Sequence, residues 1–130
     1  MTFINELEVI VQSTYSKILA KHQIQNIIGK TLNCDSFLKI TQAIKDELII
    51  SLNNGLTALE TANNIILETA NNIIYRLLKE NYFKYENHEM AVLIGYVYLK
   101  RQGVTINNYT LDGINNNSTL NEIRSVTVSW

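Results

Sequence analysis

The sequence predicts an all-α protein, a compact helical bundle built around one buried central helix. Three observations carry that expectation. The 130 residues contain no proline and five glycines, so the chain has few breakers and favours helices over a turn-rich β sandwich. Apolar residues recur in steps of three and four along most of its length, the period of a helix with one buried face. One stretch, Met90 to Leu99, is apolar on every side, as a helix surrounded by other helices is. With 46% apolar and 18% charged residues, the chain has the material for a core and the length of a single domain spanning 1–130.

The elements follow in order. Phe3, Ile4, Leu7, Ile10, Val11, Tyr15, Ile18 and Leu19 define one face of a first helix. A short second helix is expected around Ile24, Ile27 and Ile28, stopping near Gly29. Asp35 or Ser36 can cap the next helix, because a short side-chain oxygen there accepts from a free first-turn N–H. Its stripe Phe37, Ile40, Ile44 and Leu48 runs to Leu52, and Asn53-Asn54-Gly55 ends it. Thr57 followed by Glu60 reads as a capping box that opens a long helix, with Leu59, Ala62, Ile66, Ala70, Ile73 and Leu77 at helical spacing towards Glu80.

That helix carries an identical tandem octapeptide, Leu-Glu-Thr-Ala-Asn-Asn-Ile-Ile at 59–66 and again at 67–74. Eight residues advance a helix by roughly 80° beyond two full turns. The copies therefore cannot present the same face, and Ile65 or Ile66 is expected to stand off the core stripe. Asn81 to Glu86 is a polar and aromatic connector. Asn87 then reads as the cap of the central helix, which runs through Gln102 and stops at Gly103. The tail is polar, with a turn at Gly113 and Asn115-Asn116-Asn117. Thr119 with Glu122 is a second capping box, before a short closing helix through Ile123, Val126 and Val128; Val126 to Trp130 fits an edge strand equally well.

Charge and cysteine content exclude several functions. Eleven basic against 12 acidic residues leave a formal charge of −1, with no positive field for a nucleic-acid backbone or an anionic membrane. Neither a nucleic-acid nor a membrane partner is expected. The longest apolar run is about half of what a bilayer requires, and Met1 to Ile10, with Glu6 and Glu8, does not read as a secretory signal. Cys34 is alone, which rules out an internal disulfide and a cysteine-built zinc site. His22 and His88 lie apart in sequence and form no ligand pattern, so no metal is expected. His22, between Lys21 and Gln23, reads as a surface residue. Together these point to a cytoplasmic protein.

The connector and the apolar helix after it resemble the signature region of the Fic/Doc family. The family pattern is His-x-Phe-x-(Asp or Glu)-(Gly or Ala)-Asn-(Lys or Gly)-Arg, then Thr-Ala, an apolar stretch and a Phe-Leu-x-x-Asn-Gly ending. Phe83, Asn87, Ala91, Tyr98, Leu99 and Gly103 fall in that register without a gap, and the resemblance covers 58–106. It is closest to the compact, death-on-curing Doc type. It implies a helical fold in which a loop leads into a central helix. The activity it implies is transfer of AMP or phosphate from a nucleotide to a protein hydroxyl, or a toxin paired with a small antitoxin.

The chemistry-bearing positions of the pattern are replaced. Its histidine falls on Asn81, whose amide cannot act as a general base near neutrality. Its metal-holding acid falls on Tyr85, and its basic residues fall on His88 and Glu89, the latter placing a negative charge where a triphosphate needs a cation. The expected function is that of a catalytically degenerate relative, a pseudoenzyme that binds or regulates a protein partner and needs no cofactor. Its remnant loop comprises Asn81, Phe83, Tyr85, Asn87, His88 and Glu89. Tyr82 and Tyr85 are candidate partner-binding anchors, since a tyrosine offers a large apolar face with one polar tip. The alternative is an active enzyme using ATP and magnesium with a displaced residue. His88, whose imidazole type titrates near neutrality, is the candidate catalytic group. A structural helical oligomer unrelated to the family, assembled from copies of this chain, is the third reading.

Overall fold

The computed structural model describes residues 3–27, 29–55 and 62–130. They form an all-α fold. A single 3-10 turn, Phe3–Glu6, leads into α1 (Leu7–Lys21); then come α2 (Phe37–Gly55), α3 (Ala62–Glu80), α4 (Asn87–Arg101) and α5 (Leu120–Thr127). Among the described residues the β structure amounts to one isolated antiparallel bridge, Leu32 with Phe83.

The expected stripe of α1 is its buried face: Leu7, Ile10, Val11, Tyr15, Ile18 and Leu19 are all in the core. Ile4 departs from it, 37% exposed because it precedes the helix proper in the tighter turn. Among the described residues no second short helix follows. The end of α1 is a Schellman turn, with Gln23 N–H bonded to Ala20 O at 3.1 Å and Ile24 N–H to Leu19 O at 2.8 Å. Gln23 stands at φ 58° in the left-handed region, which turns the chain away from the helix axis. Ile24 to Ile27 consequently run as irregular chain, with Ile27 41% exposed; Ile28 lies outside the described residues.

The second long helix, α2, starts at Phe37 where the apolar stripe predicts, and Ile40 and Ile44 are buried on it; it runs through Asn53-Asn54-Gly55, the residues expected to end it, and the chain just beyond lies outside the described residues. Asp35 does not cap it among the described residues; its carboxylate accepts from Lys39 Nζ, one turn on, at 2.7 Å. The Thr57–Glu60 capping box and Leu59 fall outside the described residues.

Helix α3 packs along α4, and the repeated octapeptide shows the effect of its 80° rotation. In the second copy Thr69, Ala70, Asn71, Ile73 and Ile74 are buried, whereas Ile65 and Ile66 of the first copy are half-buried. Buried polar atoms of the second copy are matched from neighbours. Thr127 Oγ1 donates to Asn71 Oδ1 at 2.5 Å, Ser51 and Thr69 share a hydroxyl hydrogen bond, and Arg124 pairs with Glu68 across the gap to α5. Without such partners the buried Thr69 and Asn71 groups would each cost on the order of 1–3 kcal/mol; the Arg124–Glu68 pair lies nearer the surface.

The central helix is α4, with Met90, Ala91, Val92 and Ile94 wholly buried. Its end matches the expected glycine stop: Gly103 at φ 81° donates to Lys100 O, and Val104 N–H bonds to Leu99 O at 3.1 Å. Its start differs from expectation. Glu86 occupies the cap position, at φ 54° and with no capping side-chain bond, and Asn87 is the first helical residue. Asn87 faces backwards into the connector.

The closing helix α5 has the full capping box, in which Thr119 Oγ1 accepts from Glu122 N–H and the Glu122 carboxylate accepts from Thr119 N–H, both at 3.2 Å. Val126 to Trp130 completes this helix and a turn and does not form a strand. Val128 is 73% exposed and off the stripe, while Trp130 is buried with its ring 5.4 Å from that of Tyr109. No described helix is long and apolar enough to cross a membrane.

Candidate functional site

The loop at 81–86 is held by backbone pairing on one edge and by one asparagine on the other. Asn81 ends α3 in the left-handed region at φ 51°, a conformation asparagine tolerates well. The Asn81 carbonyl accepts from Asn33 Nδ2 at 2.7 Å. Asn33 N–H bonds to Tyr82 O at 2.7 Å, and Lys84 N–H bonds to Thr31 O at 2.9 Å. These bonds flank the Leu32–Phe83 bridge and lay the 31–33 segment against the loop.

Beneath that bridge Phe83 is fully buried, its ring 4.6 Å from the ring of Tyr15. The Tyr15 hydroxyl donates to Thr31 O at 2.7 Å and accepts from Tyr85 N–H at 3.4 Å. Burial raises its pKa, so it remains a donor. Asn87 closes the other edge. Its Oδ1 accepts from Phe83 N–H at 3.1 Å, while Nδ2 donates to Leu77 O at 3.3 Å and to Asn116 Oδ1 at 3.0 Å. One buried amide thus ties α3, the loop, the start of α4 and the 115–117 turn.

The remaining loop side chains divide by exposure. Tyr82 is half-buried; Tyr85 is 39% exposed, with Lys84 Nζ 5.9 Å above its ring. Asn81 is exposed and offers no titratable group. His88 is half-buried on the first turn of α4 and makes no hydrogen bond to the described residues.

Glu89 is the charged centre of the region. Its side chain is 6% exposed, with one carboxylate oxygen 2.7 Å from Lys21 Nζ and the other 2.7 Å from His22 Nε2. Burial pushes its pKa up, but hydrogen bonds from Lys21 and His22 and their attraction outweigh that and leave it below the ordinary value. The Glu86 carboxylate lies 3.9 Å from the same His22 nitrogen. Lys21 and His22 sit at the C-terminal end of α1, and Glu89 lies in the first turn of α4, so cation and anion each complement a helix dipole.

His22 is exposed, as its neighbours in sequence predict, but it is not isolated, and sequence reasoning misses its contact with Glu89. It lies 67 positions from Glu89, and no local spacing links the two. The nearest signal in the sequence is its place at the end of the α1 stripe, where a basic side chain is favoured.

The depressed pKa of Glu89 predicts a pH dependence. Its contribution to stability is complete above the unfolded value of 4.5 and is lost as pH falls through the lower folded value. Thermal melts from neutral pH downwards should show wild type losing its advantage over Glu89→Gln below that value. Equal slopes for the two proteins would contradict the ion pairing.

Comparison of the chain with protein-family models, with curated proteins and with solved structures finds no match.

Proposed function

We propose that this protein is a Fic/Doc-like binding or regulatory module that has lost nucleotide transfer and acts on a protein partner through the face formed by 81–89. The observation that carries this reading is Glu89. Where phosphate groups would need a cation, the chain holds a buried carboxylate, and Lys21 and His22 from α1 are already engaged with it. Such an arrangement repels a triphosphate from the helix start that the pattern would use to receive it. The loop supports the same reading. Its backbone is braced from two sides, and it displays Tyr85 with Lys84 over the ring, a rigid aromatic surface of the kind that anchors protein contacts. The resemblance makes a small antitoxin-like protein the class of partner, and the chain itself then needs no cofactor.

Calorimetric titration with ATP and magnesium tests it. The expected result is no saturable binding up to roughly millimolar nucleotide, where a dissociation constant of that order is already a weak complex. Saturable micromolar binding that disappears in His88→Ala would replace this reading with the active enzyme. Tagged protein from its own host is expected to carry a stoichiometric protein partner that Tyr85→Ala releases. Retention of that partner by Tyr85→Ala would move the contact off this loop.

A further inference from the structure

The grouping of His22, Glu86 and Glu89 has a chemistry that the partner-binding reading does not use. His22 Nε2 and one oxygen from each glutamate lie within 4.8 Å of one another. Imidazole with two carboxylates is a ligand set for a borderline divalent cation. Bonds of about 2.0–2.2 Å in a tetrahedral shell place neighbouring ligand atoms about 3.3–3.6 Å apart. The His22–Glu89 separation of 2.7 Å and the His22–Glu86 separation of 3.9 Å bracket that spacing, so side-chain movements on the order of an ångström suffice.

The backbone supplies the convergence from two directions. Glu86 and Glu89 are three residues apart across the cap and first turn of α4, which puts them on one side of the helix start. His22 comes from the C-cap of α1, fixed by the Schellman turn.

Two further features favour a cation there. With His22 neutral, Glu86, Glu89 and Lys21 sum to a single negative charge. Lys21 bonds the Glu89 oxygen that His22 does not, so the other oxygen can serve a metal while Lys21 stays in place. Independently, the Tyr109 hydroxyl is buried without a hydrogen-bond partner among the described residues. It lies within the electrostatic reach of Glu89, whose charge adds to burial in raising its pKa. A buried hydroxyl with no acceptor, electrostatically coupled to one of the three ligands, has the character of an outer-shell group for such a site.

We infer that His22, Glu86 and Glu89 form a binding site for one divalent transition cation, with zinc as the probe, which clips the end of α1 to the start of α4. On binding, the Nε2 hydrogen of His22 shifts to Nδ1 in the neutral ring, or is released to solvent from the doubly protonated one, and the freed Nε2 lone pair goes to the metal; protons compete with the cation, so affinity drops as pH is lowered. This inference stands independently of the partner-binding reading, because its readout involves no partner and no nucleotide.

The test is titration of the chelator-stripped full chain with zinc chloride by calorimetry, and with cobalt(II) by visible absorption. The expected result is one equivalent of zinc at micromolar affinity and a cobalt spectrum of a low-coordinate nitrogen and oxygen site. His22→Ala and Glu86→Gln should each weaken zinc by at least about tenfold, and Lys21→Met should tighten it. Glu86 is partly exposed, so Glu86→Gln tests the site without emptying the core, and circular dichroism confirms that each variant is folded. Absence of zinc binding, or binding unchanged in both His22→Ala and Glu86→Gln, overturns the inference and leaves the three residues as an ion-pair tie.

Discussion

Gly95→Leu is expected to remove more than about 3 kcal/mol of stability, the upper end of what overpacking a core costs. Gly95 lies midway along α4 and faces Ala70 and Ile74 of α3. A Cβ built on it would stand 2.5 Å from Ile74 Cγ1 and 2.6 Å from Ile74 Cδ1, with Ala70 O at 3.5 Å. Ile74 is fully buried, and β-branching leaves it one strongly preferred rotamer in a helix. It cannot swing aside cheaply. Gly95→Ala separates the contributions. Alanine gains about 1 kcal/mol of helix propensity over glycine, yet its Cβ meets the same two atoms, so a small net loss is expected where an open site would show a gain. Ile74→Ala makes the room, so the Gly95→Ala, Ile74→Ala pair should cost less than the sum of its single changes. Chemical denaturation of the four proteins reads this directly. A stabilising Gly95→Ala, or strict additivity in the pair, would mean that α3 and α4 are not this close.

The packing of Gly95 on Ile74 also explains what the duplication could and could not foretell. Helical period alone requires the two octapeptides to face differently, and the structure puts Ile73 and Ile74 in the core while Ile65 and Ile66 stay half-buried. The all-α class, the start of α2, the Thr119 capping box and the glycine stop at Gly103 are legible for the same reason: each is written within a few neighbouring residues. The failures share a cause as well. The expected helix near Ile24 is absent because Gln23 takes a left-handed conformation that glutamine does not advertise. Asn87 has the type of a capping residue, although its amide is committed to Phe83, Leu77 and Asn116, contacts that depend on the folded chain. The joining of His22 to Glu89 is of the same kind, since no spacing rule spans 67 residues. Local signals set the elements; the site is assembled from contacts between them.

Asn87→Ala is the second large effect, about 2–3 kcal/mol from a side chain of modest size. Truncation creates little cavity, so packing supplies the smaller share. The larger share comes from one polar group left without a partner. Phe83 N–H loses its acceptor at a buried position, which costs on the order of 1–3 kcal/mol; Leu77 O loses one of two donors and keeps Asn81 N–H at 3.1 Å. For a chain of this length 1 kcal/mol moves the melting temperature by roughly 4 °C, so a drop near 10 °C is expected. Asn87→Asp distinguishes satisfaction from shape. Aspartate keeps the acceptor for Phe83 N–H but replaces the donor, setting a carboxylate against Leu77 O and Asn116 Oδ1, and it should be no better than alanine at neutral pH. Amide exchange locates the damage. With Asn87 gone, protection should fall first at Phe83 and Lys84, while the interior of α4 near Ile94 keeps the protection set by global unfolding. If protection fell uniformly, Asn87 would be one more core residue. If it falls at the loop first, Asn87 is what keeps the 81–86 surface rigid, and Tyr85 loses the fixed presentation on which its proposed role as a protein anchor depends.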